Sequence, residues 1–279
     1  MFRAWKTHNH LMRWPISLSG FHLIVTFCLC GVLAQAQSGI PILTYHRFDP
    51  NTAGPTTVTI ATFESQLDTL AANGYAVVPL ETATDIVLGV TQAPTHPIAV
   101  ITVDDGHYSA YTVLFPILKQ RRIPVTLFIY PSAISNAPYA LTWDQIREML
   151  ASGLVDVQSH TYWHPDFRKE KARRSAADFE AFVETQLSKS KTKLEVELGV
   201  QVDLLAWPYG IVDDELEAAA IRNGYRAAFA YDGKLARPGE DAFAIHRIPV
   251  SDSERGSSFA ALLSGSPHNG KDHANVPRE

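Results

Sequence analysis

Six short apolar, β-branched runs recur along the chain, at Ile40–Tyr45, Ile98–Val103, Val125–Tyr130, Val155–Gln158, Leu204–Trp207 and Ala227–Ala230. They are continuous rather than alternating, the pattern of strands buried on both faces of a parallel sheet. Between them, longer stretches carry apolar residues at helical spacing: Phe63–Asn73, Ala110–Gln120, Trp143–Ser152, Ala172–Leu198 and Asp213–Asn223. Thr62 and Thr142 stand where N-caps belong, and Gly74, Gly153, Gly199 and Gly224 where helices stop. Strand–helix alternation of this kind predicts one α/β domain, a distorted (β/α) barrel. A doubly wound open sheet is the alternative, but no glycine-rich phosphate loop follows the first strand.

Composition narrows the class. Of 279 residues, 46% are hydrophobic and 19% charged, which excludes a disordered or multi-span membrane chain. A formal charge of −5 gives no general electrostatic reason to hold nucleic acid. Residues 1–36 read as a secretory signal peptide: Arg3, Lys6 and Arg13 with no acid, an apolar run from Ile16 to Leu33, and a small-x-small exit at Ala34 and Ala36. An uncleaved membrane anchor is the alternative, and only in that case is a membrane a partner. Both cysteines, Cys28 and Cys30, lie in this segment. The exported domain, 37–263, is therefore expected to fold without disulfides, as a monomer, and to use His, Asp or Glu for any metal site. Residues 264–279 are polar and turn-rich, and are expected to form a flexible tail.

Candidate chemistry collects at the carboxyl ends of the strands, where a barrel keeps its functional groups. The second run ends in Asp104-Asp105-Gly106, the fourth in Ser159-His160-Thr161-Tyr162-Trp163-His164-Pro165, and the fifth in Pro208-Tyr209-Gly210. The first ends in His46. Singly, each is weak: Asp-Gly is a common turn dipeptide, and one His-x-x-x-His spacing decides nothing. Jointly, two carboxylates and three imidazoles would meet at one barrel mouth. One carboxylate and two imidazoles can hold a divalent ion and leave positions open for water and substrate. Successive side chains at a strand end point in different directions, so one aspartate can bind the ion while the other accepts a proton.

At these residues the sequence resembles the polysaccharide deacetylases of carbohydrate esterase family 4. The family's first motif is matched by Thr102-Val103-Asp104-Asp105-Gly106, with Val103 replacing the usual Phe. The second is matched in full by His160-Thr161-Tyr162-Trp163-His164-Pro165, and the third by Trp207-Pro208-Tyr209-Gly210, which lacks the family's preceding arginine. The match runs from about residue 40 to 250. Within the family the chain is similar to the exported poly-β-1,6-N-acetylglucosamine deacetylases, through Pro41–Arg47 and the Arg247–Val250 segment.

The resemblance implies that Asp104 is the general base, that Asp105, His160 and His164 are metal ligands, and that His46 is the catalytic acid. His246 sits where unpermuted relatives place their acid, and is expected to serve as a rival acid or to support the substrate pocket. Trp163, Trp207, Pro208 and Tyr209 are expected to contact substrate. Zinc is the default ion for such a site, though cobalt, nickel or iron would use the same ligands. The implied reaction removes N-acetyl groups from an extracellular or periplasmic polysaccharide. Chitin oligosaccharides, peptidoglycan and acetylated xylan are rival polymers, and an inert polysaccharide-binding module is the rival class.

Overall fold

The apolar runs become parallel strands of a single curled sheet in the computed structural model, which describes residues 39–265. Along the sheet the order is β10 (Ile248–Pro249), β1 (Ile42–Tyr45), β5 (Ile98–Asp105), β6 (Val125–Ile129), β7 (Val155–Ser159), β8 (Leu204–Ala206) and β9 (Ala227–Phe229). A short β4 (Ala76–Val77) also pairs with β5. Every pairing is parallel, as expected for strands covered by helices on their outer face.

The sheet bends into the distorted barrel that the alternation predicts. Its two edges meet through one segment near the carboxyl end: Ile245 bridges to Phe229 of β9, and Ile248–Pro249 pairs with β1. Two apolar layers result. The larger packs the sheet against the helices, with Phe63, Leu118, Met149, Phe179 and Leu187 among its buried members. A smaller one joins Ile42, Val100, Phe128, Ala206 and Phe229.

The helices are α1 (Ile60–Ala72), α2 (Leu80–Val87), α3 (Phe115–Arg121), α4 (Trp143–Ala151), α5 (Phe167–Ala172), α6 (Ala176–Leu198), α7 (Asp214–Arg222) and α8 (Ser257–Leu263). Thr142 caps α4 in a reciprocal capping box with Gln145. Gly199 closes α6 in the left-handed conformation.

Three expectations are corrected. The N-cap of α1 is Thr59, whose hydroxyl accepts from the Thr62 backbone N–H, while Thr62 itself is buried in the first turn. The helix expected over Ala172–Leu198 starts at Ala176 instead, because Ser175 takes an N-cap conformation and accepts from the Asp178 N–H, while Ala172 ends the separate α5. The helix expected from Ala110 opens as a π-turn over Ala110–Leu114, and Pro116, which has no N–H to donate, follows in the first turn of α3. A further two-stranded pair, β2 (Arg47–Asp49) with β3 (Thr57–Thr59), is too short to show in the hydrophobic pattern. The expected signal peptide, and all of the expected tail after Gly265, lie outside the described residues. Among the described residues no helix is long and apolar enough to cross a membrane.

Candidate active site

The ends of β1 and β5 to β9 and one returning segment surround a cavity of about 590 Å3, lined by His46, Asp104, Asp105, His160, His164 and Arg247 together with a wall of aromatic residues. β5 brings the two aspartates. Asp104 is still in register with Phe128 of β6 and is buried. Asp105, the last strand residue, turns to a left-handed φ of 76° and sends its carboxylate in a different direction. A non-glycine residue held there costs about 1–3 kcal/mol, so the surrounding structure must enforce it. Thr161, His164 and Tyr209 share the same left-handed region, at φ 65°, 62° and 57°. Backbone strain is therefore concentrated around this one cavity.

β7 brings the histidines. The backbone N–H of His160 donates to Ile129 O, which extends the strand pairing by one residue. Its ring lies 2.8 Å from the carbonyl oxygen of Ala206 through Nδ1. A carbonyl only accepts, so Nδ1 carries the proton and the lone pair of Nε2 faces the cavity. His164 is turned back by its left-handed backbone, with its N–H donating to Thr161 Oγ1 at 3.2 Å. Both Nε2 atoms approach Asp105 Oδ1, at 3.7 Å for His160 and 3.6 Å for His164. The ligand atoms of Asp105, His160 and His164 all lie within 4.8 Å of one another. An anionic oxygen and two imidazole nitrogens at such spacing are a donor set suited to a divalent ion of the zinc type, with room left for further ligands.

Electrostatics separate the two carboxylates. Burial pushes the Asp104 carboxyl up, but the Arg247 guanidinium, then His160, outweigh it and hold it at about 2. Asp105 also stays below the usual carboxylate range: burial raises it, and His164, His46 and His160 together prevail. Burial pulls the His160 imidazolium down to about 4, against the attraction of Asp104, and lowers His164 in the same way. At neutral pH the cluster therefore presents two carboxylates and neutral imidazoles, the protonation states a metal site requires.

Arg247 is the residue the motif reading missed. Its guanidinium is fully buried and donates to both oxygens of Asp104, Nη1 to Oδ1 at 2.8 Å and Nη2 to Oδ2 at 2.9 Å. Its Nε is committed to Ala230 O at 3.0 Å. The arginine absent before Pro208 is thus supplied from the far end of the domain. A signal was present: an arginine set among Ile245, Ile248 and Val250 is buried, and a buried arginine needs a carboxylate.

The remaining expected residues divide. His46 follows β1, is half-buried and lines the cavity, with its ring edge-on to Tyr231 at 5.8 Å. Trp207 is buried and lines the floor, its Nε1 donating to Phe243 O. Tyr209 is exposed at the rim, its ring 4.7 Å from that of His164. Pro208 is buried at the start of the turn and shapes the backbone of Tyr209 rather than lining the cavity.

Trp163 and His246 are not part of the lining. Trp163 turns away to pack edge-on against Phe182. His246 alternates with Arg247 along an extended segment, so it points to the opposite side, where its Nδ1 lies 2.8 Å from Asp232 Oδ2. His107 and Tyr139 also line the cavity, as do Arg47, Tyr130 and Tyr231, which had not been singled out as site residues.

Comparison with known proteins places this site in a family. The polysaccharide deacetylase family model matches residues 91–228, the stretch that carries β5 to β8 and the loops after them. The chain is 29% identical over 156 residues to the poly-β-1,6-N-acetyl-D-glucosamine N-deacetylase of Staphylococcus epidermidis, and 26% identical over 156 residues to that of Staphylococcus aureus. Each alignment covers 54% of this chain and 54% of the relative, so the chain spans about half the length of those two proteins. Among solved structures, IcaB from Ammonifex degensii superposes with a TM-score of 0.70 at 27% identity, over 81% of this chain and 97% of that one. A de-N-acetylase from Aggregatibacter actinomycetemcomitans gives 0.70 at 25% identity, over 80% and 99%. The family match falls on the strands whose ends build the cluster, and the chain carries a polysaccharide deacetylase domain.

Proposed function

We propose that this enzyme removes N-acetyl groups from N-acetylglucosamine units of an exported polysaccharide, poly-β-1,6-N-acetylglucosamine first, with a divalent metal at Asp105, His160 and His164. The observation that carries the reading is the convergence of those three donors with Asp104 ionised beside them. The names of the staphylococcal relatives and of IcaB support the choice of polymer, and the apolar, positively charged amino terminus supports export.

A divalent ion, zinc by the character of its donors, supplies polarisation of an acyl oxygen and acidification of water when bound. The chain's own residues do the rest. Asp104 is held ionised and immobile by the two-pronged grip of Arg247, so its carboxylate is positioned to take a proton from the attacking water. The backbone N–H of Tyr209, in the turn after β8, is the donor assigned here to the negative charge that develops on the acetamide oxygen. His46, at the end of the neighbouring strand β1, donates a proton to the leaving amine, after which acetate departs. Half-exposed Tyr108, Tyr139 and Tyr209 offer ring faces to pyranose C–H groups around the mouth.

The test is acetate release from β-1,6-linked N-acetylglucosamine oligomers, with β-1,4-linked oligomers alongside, before and after chelation and after return of zinc. Chelator-sensitive release that zinc restores, faster on the β-1,6 series, is expected. Faster release from the β-1,4 series assigns a different polymer, and binding without release assigns a polysaccharide-binding module.

A further inference from the structure

Tyr231 stands just beyond β9, at a junction of three parts of the site. Its ring meets that of His46 edge-on, with 5.8 Å between centroids and 88° between planes. Its backbone is pressed against Gly210: a Cβ added to Gly210 would lie 2.7 Å from Tyr231 N and 2.9 Å from Tyr231 Cβ. Gly210 is also at φ 64°, so glycine is required there on two counts, and the turn that carries Tyr209 rests directly on Tyr231. The same side chain lines the cavity beside Asp104 and Arg247.

The hydroxyl is the unusual part. The other phenols packed into this half of the barrel have partners: Tyr45 donates to Gln66, Tyr225 donates to Ser159, and Tyr130 pairs with Tyr139. Tyr231 has no hydrogen-bond partner for its hydroxyl among the described residues, although its ring meets His46 and its backbone rests on the Gly210 turn. That hydroxyl is not among the buried unpartnered atoms, so it opens into the cavity, where a bound ligand can reach it.

We infer that Tyr231 is a substrate-contacting residue, its hydroxyl bonding a ring hydroxyl of the N-acetylhexosamine unit whose acetamide is at the reacting centre. The inference rests on the deacetylase reading above. The acetamide oxygen already has donors in that reading, so the sugar hydroxyls are the substrate groups left to be satisfied at this wall. A phenol both donates and accepts, which suits a sugar hydroxyl better than an acyl oxygen. Because the backbone of Tyr231 is fixed against the Gly210 turn and its ring meets His46, its oxygen is held at one wall of the cavity, and a bound hexosamine is oriented by it. Tyr231 would thereby make the site selective for sugar-borne acyl groups over bare ones.

The experiment compares the full-length, zinc-loaded protein with Tyr231→Phe, which keeps the ring and its packing and deletes only the hydroxyl. Two substrates are used, a β-1,6-N-acetylglucosamine oligomer and a small aryl acetate that carries no sugar. Metal content and melting temperature are measured for both proteins. Leaving a site's polar partner unmade costs a factor of about 10 to 100. The expected result is a loss of tenfold or more in kcat/KM on the oligomer, at least ten times larger than any loss on the ester, with the wild-type metal content. A loss of less than tenfold on the oligomer, or equal losses on the two substrates, overturns the inference. Wild-type protein that releases no acetate from any oligomer overturns the deacetylase reading instead, and the two failures are distinguished by that control.

Discussion

Arg247 grips both carboxylate oxygens of Asp104, at 2.8 and 2.9 Å, with neither side chain open to solvent. The pair joins β5 to the segment that closes the barrel, so one contact serves both the proposed base and the fold. Two buried charges this close are stable only because the geometry is two-pronged and two further donors are used, on Ala230 O and Thr102 Oγ1.

Removing the arginine alone should therefore be costly. Arg247→Met leaves a buried carboxylate without its counter-charge, and a loss of about 3–5 kcal/mol in unfolding free energy is expected. Arg247→Lys should recover only part of it, since an ammonium cannot make the paired contact. Urea denaturation of both variants, and of Arg247→Met combined with Asp104→Asn, checks the point. The double variant should lose clearly less than the sum of the two single changes.

His46 and His246 are separated by the same geometry. His46 faces the cavity, while His246 is turned to Asp232 on the other side of the chain. His46→Gln should lower kcat by about 10²–10⁴ with metal content retained, the usual cost of losing a proton donor. His246→Gln should lower it by less than tenfold. Steady-state kinetics on one oligomer measures both, and the reverse order would reassign the acid.

Acid sensitivity should arise partly at Asp252, away from the site. Its carboxylate accepts from the Thr59 N–H at 2.8 Å and the Thr59 hydroxyl at 2.7 Å, tying the carboxyl-terminal segment to the start of α1. Burial raises this carboxyl, but the Thr59 N–H and the hydroxyls of Thr62 and Thr59 outweigh it and hold it at about 2. In the unfolded chain an aspartate titrates near 3.9. A depressed folded value means stability that is fully present above about pH 4 and is lost as pH falls towards 2. Asp252→Asn should therefore be less stable than wild type by about 1–2 kcal/mol at pH 7, and the gap should close on acidification. Unfolding curves at pH 7, 4 and 3 test the sign; a gap that widens in acid contradicts it.

Legibility in the sequence followed the distance over which each feature is determined. Asp104-Asp105 and His160…His164 could be read because each group directly follows a long apolar run, and a parallel barrel gathers the ends of such runs. The strand frame was legible for the same reason. The carboxylate that Arg247 grips and the place of Tyr231 were not, because both residues lie on segments whose role is set by distant partners: β10 is two residues long, and β9 ends just before Tyr231. Ser175 and Thr59 show a subtler miss. Both are good caps by type, but a continuous helical pattern on either side hid the break at one and shifted the start at the other. Trp163 has the exposure of a sugar platform, and only its contact with Phe182 shows that it faces elsewhere.

The most direct test of the metal assignment is an anomalous-diffraction map of zinc-loaded crystals. An ion is expected about 2.0–2.2 Å from Asp105 and from Nε2 of His160 and His164, with Asp104 beside it and not among its ligands. An ion bound elsewhere, or a zinc-loaded protein with no peak between those three side chains, would contradict it.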